Sequence, residues 1–361
     1  MIATNKVKLS EISTLISKGS TPRGKVNYSK TEKNDFLRVT DMADYGRVKK
    51  SDLTLSDEDF AKNKMRLWPV DTVLISIEGT IGKVSILKKV MAFNQAVAGV
   101  VVDKTKILPE YLMYYLKSES AFGRIVKGTI MPAIRLGDIS NLDIDLPSLN
   151  NQKKIVDTLE KIDSKIGCNN RTNDNLREII KARYNYLIKS TDWPKIELGT
   201  VATISSGKRP AAKIASGRVP VVGANGVMAY TNDYNFNEDV IITGRVGTLG
   251  AIKRYNDKIW ASDNTLVIQT KYLNYVENYL KNLDIQSLNR GSTQPLLTNG
   301  DLKKQIIMFN ESGVLKFERE NQIIIDTIRG NNLENEHLTK LRDTLLPELL
   351  NGKIDISNID I

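Results

Sequence analysis

Gly-Ser-Thr-Pro-Arg-Gly-Lys at 19–25 has the spacing of a phosphate-binding loop, in which backbone N–H groups cradle an anion and a lysine reaches the terminal phosphate. Val26 stands where such a loop needs a magnesium-binding Ser or Thr, and the run ahead of it, STLISK, is a poor buried strand. The stretch SGKRPAAK at 206–213 keeps glycine, proline and basic residues without that spacing. Both stretches fit a basic turn that contacts phosphates better than they fit a nucleotide site. Catalytic groups are scarce elsewhere. No proline is followed by another proline, so the Asn/Asp/Ser-Pro-Pro-Tyr/Phe motif of nucleic-acid amino-methyltransferases is missing. No proline precedes an aspartate, the common start of a nuclease carboxylate motif. A single histidine, His337, and a single cysteine, Cys168, leave no zinc cluster or internal disulfide to propose.

The elements that hold these turns are written twice. GTIMPAIRLGDI (128–139) and GSTQPLLTNGDL (291–302) share the pattern Gly-Ser/Thr-x-x-Pro-x-Ile/Leu-x-x-Gly-Asp-Ile/Leu. VKLSEISTLISKGSTP (7–22) resembles IELGTVATISSGKRP (196–210), IEGTIGKV (77–84) resembles RVGTLGAI (245–252), and DTL (157–159) answers DTI (326–328). Four pairs in the same order mean a tandem duplication. Strands are expected over 71–77, 96–102, 240–246 and 265–270, and helices over 109–121 and 273–283. The Gly-Asp-Ile/Leu stretches read as turns into a last strand, with Asp138 and Asp301 bracing the junction.

Each copy ends in a long heptad stripe. One runs through Ile155, Leu159, Ile162, Ile166, Asn169, Asn173, Leu176, Ile180, Arg183 and Leu187; the other through Ile324, Ile328, Asn331, Asn335, Leu338, Arg342, Leu345 and Leu349. Residues 147–190 hold nine Lys/Arg against five Asp/Glu, and residues 309–361 hold six against ten. Opposite charge beside two apolar seams favours mutual pairing, and seam asparagines fix register because each amide seeks a partner amide. The asparagine pair of one stripe, Asn169 and Asn173, recurs in the other as Asn331 and Asn335, and the second helix reads as one heptad shorter with its stripe preserved, its start left open by ENQIIIDTIRG at 320–330.

The fold class is therefore α+β (mixed α/β), two tandem α/β domains each followed by a long helix, the helices pairing as an antiparallel coiled coil. The boundaries are 1–147 for the first domain, 148–190 for its helix, 191–310 for the second domain and 311–361 for its helix. With 361 residues, a net charge of +10 and a pI near 9.3, the chain has room for two cores and a balance that favours a polyanionic partner. Its polar N-terminal stretch and the lack of a long apolar run point to the cytoplasm and away from a membrane.

These features resemble the specificity (S) subunits of type I restriction–modification systems. The resemblance covers nearly the whole chain and rests on LPSLNNQKKIVDTLEKIDSKI (146–166), GTIG (79–82) with GTLG (247–250), the paired Gly-Asp stretches, and LRDTLLPELLNGKI (341–354). It implies two target recognition domains, each reading half of a bipartite double-stranded DNA target. It implies a helical spacer that sets the gap and docks two modification (M) subunits, with restriction (R) subunits as further partners. The chain itself would be non-catalytic and carry no cofactor, S-adenosylmethionine residing on the M subunits.

Bases are read by amide, hydroxyl, carboxylate and basic side chains, while cations hold phosphates. In the first domain the candidates are Ser20, Thr21, Arg23, Lys25, Thr80, Lys83, Lys127, Thr129 and Arg135. In the second they are Lys208, Arg209, Asn225, Arg245, Thr248, Asp263, Asn264, Arg290, Ser292, Thr293 and Gln294. Two other readings stay open on sequence alone: a nucleotide-dependent DNA-processing enzyme using the 19–25 loop, and a scaffold whose charge is incidental.

Overall fold

A computed structural model describes residues 5–24, 26, 28–29, 33–43, 45–118, 126–127, 133–209, 214, 217–291 and 293–354, with backbone alone at 126, 127 and 133. The chain divides into two compact units, residues 1–169 with 333–361 and residues 170–332.

In the first unit β1 (Asn5–Lys8) pairs antiparallel with β12 (Asp143–Leu146). A five-stranded sheet has the order β2 (Ser13–Lys18), β9 (Val97–Val102), β6 (Val73–Ser76), β7 (Val84–Leu87) and β4 (Gly46–Val48). A second sheet places β3 (Asn34–Leu37) between β5 (Thr54–Leu55) and β8 (Ala92–Phe93), the β3–β8 pair being parallel. A short antiparallel pair joins β10 (Val126–Lys127) to β11 (Ala133–Ile134). Helix α1 (Asp57–Lys62) is capped by Ser56, whose hydroxyl accepts from the Asp59 N–H.

The second unit repeats this plan. β13 (Lys195–Glu197) pairs with β21 (Ile306–Met308). A four-stranded sheet runs β14 (Thr203–Ser206), β20 (Thr265–Gln269), β17 (Val240–Gly244) and β18 (Lys253–Tyr255). A three-stranded sheet places β15 (Val219–Gly223) between β16 (Gly226–Thr231) and β19 (Trp260–Ala261), the β15–β19 pair again parallel. The duplication in the sequence is thus a duplication of strand order.

The central strands carry continuous apolar runs because both their faces are covered. All four residues of β6 and all five of β17 are buried. Helix α2 (Pro109–Lys117), with proline in its first turn, buries Tyr111, Leu112, Tyr114 and Tyr115 in the first core. Each copy of the Gly-Asp stretch forms one helical turn rather than a plain turn, α3 (Leu136–Ser140) and later α6 (Asn299–Lys303). Thr298 caps α6 by accepting from the Asp301 N–H, which favours a helical turn over the bare turn read from sequence.

The long helices are α4 (Leu149–Ser190, 42 residues) and α7 (Glu311–Leu350, 40 residues), with α5 (Leu273–Asn282) between them in sequence. In the first unit Ile155, Val156 and Leu159 of α4 share a core with Leu346, Leu349 and Leu350 of α7. In the second, Ile180 and Tyr184 share one with Val314, Phe317 and Ile328. Each fully buried Leu or Ile adds roughly 2 kcal/mol. Around these, Ile162, Ile166, Leu176, Ile324, Leu338 and Leu345 are half-buried.

Pairing is antiparallel in both units. In the first, Asn169 donates to Asn335 Oδ1 at 2.9 Å and to Glu334 Oε2 at 2.7 Å. In the second, Asn173 donates to Asn332 Oδ1 at 2.9 Å and accepts from Asn331 at 2.8 Å, while Arg183 donates to Asn321 Oδ1 at 3.0 Å. Asn169 therefore faces Asn335 and Asn173 faces Asn331, because numbers fall along α7 as they rise along α4. Helix α7 begins ahead of the ENQIIIDTIRG stretch at 320–330. Asn310 accepts from the Gly313 N–H at 3.0 Å and starts the helix at Glu311, nine residues before 320. The added turns bury Val314 and Phe317, so α7 is two residues shorter than α4 rather than a heptad.

Those turns also carry Glu318, whose carboxylate accepts from the N–H groups of Asn274 (3.2 Å) and Tyr275 (2.8 Å) at the start of α5. Burial raises its pKa against these hydrogen bonds, which lower it. Glu318→Ala should cost about 1–3 kcal/mol by leaving two buried N–H groups without an acceptor. Denaturant unfolding against exposed Glu320→Ala checks this, the control changing little.

Candidate nucleic-acid interface

Two glycine turns close the hairpin that follows the central strand in each unit. Gly79 and Gly82 have φ of +73° and +89°, and Gly247 and Gly250 have +81° and +83°. Such φ values favour glycine, which explains why GTIG and GTLG recur. Thr80 and Thr248 are exposed at the two tips. The basic loops dock beside them in equivalent ways. Gly19 N–H donates to the Val97 carbonyl at 3.0 Å and Ser20 N–H to Phe93 at 3.0 Å; Gly207 N–H donates to Thr265 at 3.0 Å and Lys208 N–H to Ala261 at 2.9 Å.

In the second unit most candidates gather on one rim. Arg245 N–H donates to the Asn264 carbonyl at 2.8 Å, its guanidinium reaches the Asp263 carbonyl at 3.4 Å, and Gly247 N–H donates to Pro295 at 2.9 Å. Asn225 Nδ2 lies 3.4 Å from Thr248 Oγ1, and Lys253 Nζ donates to the Asn225 carbonyl. Trp260 Nε1 donates to the Lys208 carbonyl at 2.7 Å. Lys208, Arg209, Asp263, Asn264, Thr293 and Gln294 are exposed. Ser292 lies outside the described residues.

Arg290 belongs to this loop, but its guanidinium is paired with Asp301. The Thr298 hydroxyl, donating at 2.5 Å, and Arg290 hold the Asp301 carboxyl below its usual range. The Gly-Asp aspartate of this copy is thus a brace for the loop.

In the first unit, Ser20, Thr21, Arg23 and Arg135 are exposed. Thr21 donates to Gln95, and the Arg23 N–H donates to Asn63 Oδ1 at 2.7 Å. Lys83 is turned inward: Nζ donates to the carbonyls of Met42 at 2.9 Å and Val39 at 3.3 Å. It holds the loop beneath the turn, a task that no sequence feature announced. Lys25 and Thr129 lie outside the described residues, as does the side chain of Lys127.

Sequence reading missed Val227, Met228 and Tyr230 on β16, all exposed beside the Asn225 tip. The available signal was Asn225-Gly226 ahead of an apolar run, a hairpin dipeptide. Among the described residues no cluster of His, Cys, Asp and Glu could hold a metal, and no helix is long and apolar enough to cross a membrane.

A duplicated α/β unit, each copy followed by a long helix and the second carrying a basic, amide-rich rim, defines the class of protein by its fold. The profile of the type I restriction modification DNA specificity domain matches residues 2–178 and 190–314, and the chain belongs to that family. It is 23% identical over 398 residues to the type I restriction enzyme MjaIX specificity subunit of Methanocaldococcus jannaschii, covering 95% of this chain and 92% of that protein. The EcoprrI specificity subunit of Escherichia coli is 22% identical over 300 residues, 74% of each chain. The crystal structure of a type I S subunit from M. genitalium shares the fold, with a TM-score of 0.55 at 18% identity and 96% coverage of both chains.

Exposed cations on the rim should act as phosphate contacts. In the assembled complex, Lys208→Ala with Arg209→Ala should lower the slope of log affinity against log salt by about one per contact. Binding isotherms at several salt concentrations check this, a pair of exposed lysines on α4, Lys161 and Lys181, serving as controls.

Proposed function

We propose that this chain is the DNA specificity subunit of a type I restriction–modification complex in which each unit reads one half of a bipartite target. One observation carries the reading: the same strand order and glycine turns occur twice, while the exposed residues on the basic loops beside them differ. Exposed Ser20 and Thr21 stand in one basic loop where exposed Lys208 and Arg209 stand in the other, while both glycine turns present a threonine, Thr80 and Thr248. A retained frame with changed side chains supplies two readers for two different half-sites.

The paired helices α4 and α7 set the gap between half-sites and dock two M subunits, which carry S-adenosylmethionine and methylate adenine. Restriction subunits complete the nuclease. Such work places the chain with DNA in the cytoplasm. The 19–25 loop serves as a backbone-held DNA contact rather than a nucleotide site, in keeping with Val26 and with Ser20 tied to Phe93.

Modularity tests this. Replacing residues 1–146 by the matching segment of a relative should change one half of the methylated motif and leave the other intact. Mapping of methylated adenine across the host genome reads the outcome. Loss of this gene should abolish the motif, and a swap that altered both halves would rule out independent reading.

A further inference from the structure

The hairpin β15–β16 exists in the second unit only in this form. Its strands are joined by the two residues Ala224 and Asn225, and Gly226 follows at φ +125°. In the first unit the corresponding β3 and β5 are linked by a long connection, and both β5 residues are buried. β16 is the outer strand of its sheet, met at its far end by the Ile214 N–H donating to the Tyr230 carbonyl at 2.8 Å, and a bulge between Val221 and Val222 leaves Met228 without an opposite residue on β15. The normal alternation of a strand then fails, and adjacent Val227 and Met228 are both about half exposed, at 52% and 53%.

Two half-exposed apolar side chains next to an amide would be unusual as idle surface, and their surroundings say what covers them. The Asn225 tip is fastened to the GTLG turn through Thr248 and Lys253, so it belongs to the rim that carries Arg245 and Lys208. Positive side chains around an apolar ribbon match a duplex: cations for phosphates, and methyl-sized apolar contacts for the thymine C5 methyl in the major groove. A two-stranded ribbon is one of the shapes that groove admits.

We infer that the β15–β16 hairpin enters the major groove of the half-site read by the second unit, where Val227 and Met228 pack on a thymine methyl and Asn225 faces the adjoining base edge. The inference rests on the proposed reading of DNA by this unit and adds the residues and the base chemistry. Gly244 serves it by close approach: a Cβ there would strike the Thr248 carbonyl oxygen, at 1.7 Å, and Ala224 Cβ, at 2.9 Å.

The test uses the full chain assembled with its M subunits and duplexes carrying the motif the complex itself methylates. Thymidine is replaced by deoxyuridine one position at a time, which removes the methyl alone. At one position in the second unit's half-site, wild-type affinity should fall about fourfold, the worth of one buried methyl. Met228→Ala or Val227→Ala should bind the two duplexes equally there, and Asn225→Ala should relax the motif in that half only. Full sensitivity to deoxyuridine in both apolar variants, or an unchanged motif in all three, overturns the hairpin assignment while leaving the specificity reading intact. A complex without any discrete motif would instead sink the specificity reading.

Discussion

The seam amides are the constraint on which the rest depends. An asparagine in an apolar seam costs stability unless another polar group meets it, so it permits one alignment and penalises the others. Asn169 meets Asn335 and Glu334, and Asn173 meets Asn331 and Asn332. One register serves both contacts, since a step of four up α4 matches a step of four down α7. Hydrogen bonds from Asn169 and then Lys165 lower the Glu334 pKa.

Each unit is anchored to these helices by its own polar lock. In the first, Arg342 of α7 bonds Asp163 at 2.9 Å and lies over the Tyr45 ring at 4.1 Å, while Tyr114 of α2 bonds the same aspartate at 2.6 Å. In the second, Asp239 pairs with Arg254 at 2.8 Å and with Arg329 of α7. A carboxylate shared between helix and domain fixes a direction that apolar packing alone leaves free.

Much of this was legible in the sequence because it is periodic or repeated. The heptad stripes located Ile155, Leu159, Asn169 and Asn173, and the doubled GTIG and GTLG announced glycine turns. The order of partners along the seam was not legible, since a stripe gives a face and not a direction of approach. The turns of α7 ahead of ENQ at 320 depend on the Asn310 cap, which a match of that stretch to NNQ at 150 does not show. Lys83 looked like a surface cation, yet only the tertiary fold brings the Met42 carbonyl to it. The exposed Val227 and Met228 depend on a bulge, which a binary pattern does not encode. Site residues were thus readable as loops and turns, and unreadable as individual contacts.

The direct test of a helical ruler is a deletion that respects the register. Removing 170–176 with 328–334 leaves Asn169 opposite Asn335 and brings Ile180 opposite Ile324. Removing 170–176 with 332–338 instead sets Asn169 against Ile328 and should destabilise the pair. One heptad is about 10 Å of helix, the length of about three base pairs. Mapped methylation in the register-matched deletion should show both half-sites kept with a gap shorter by about three base pairs, or no methylation if DNA twist cannot be absorbed. A folded, active complex with an unchanged gap would contradict the account.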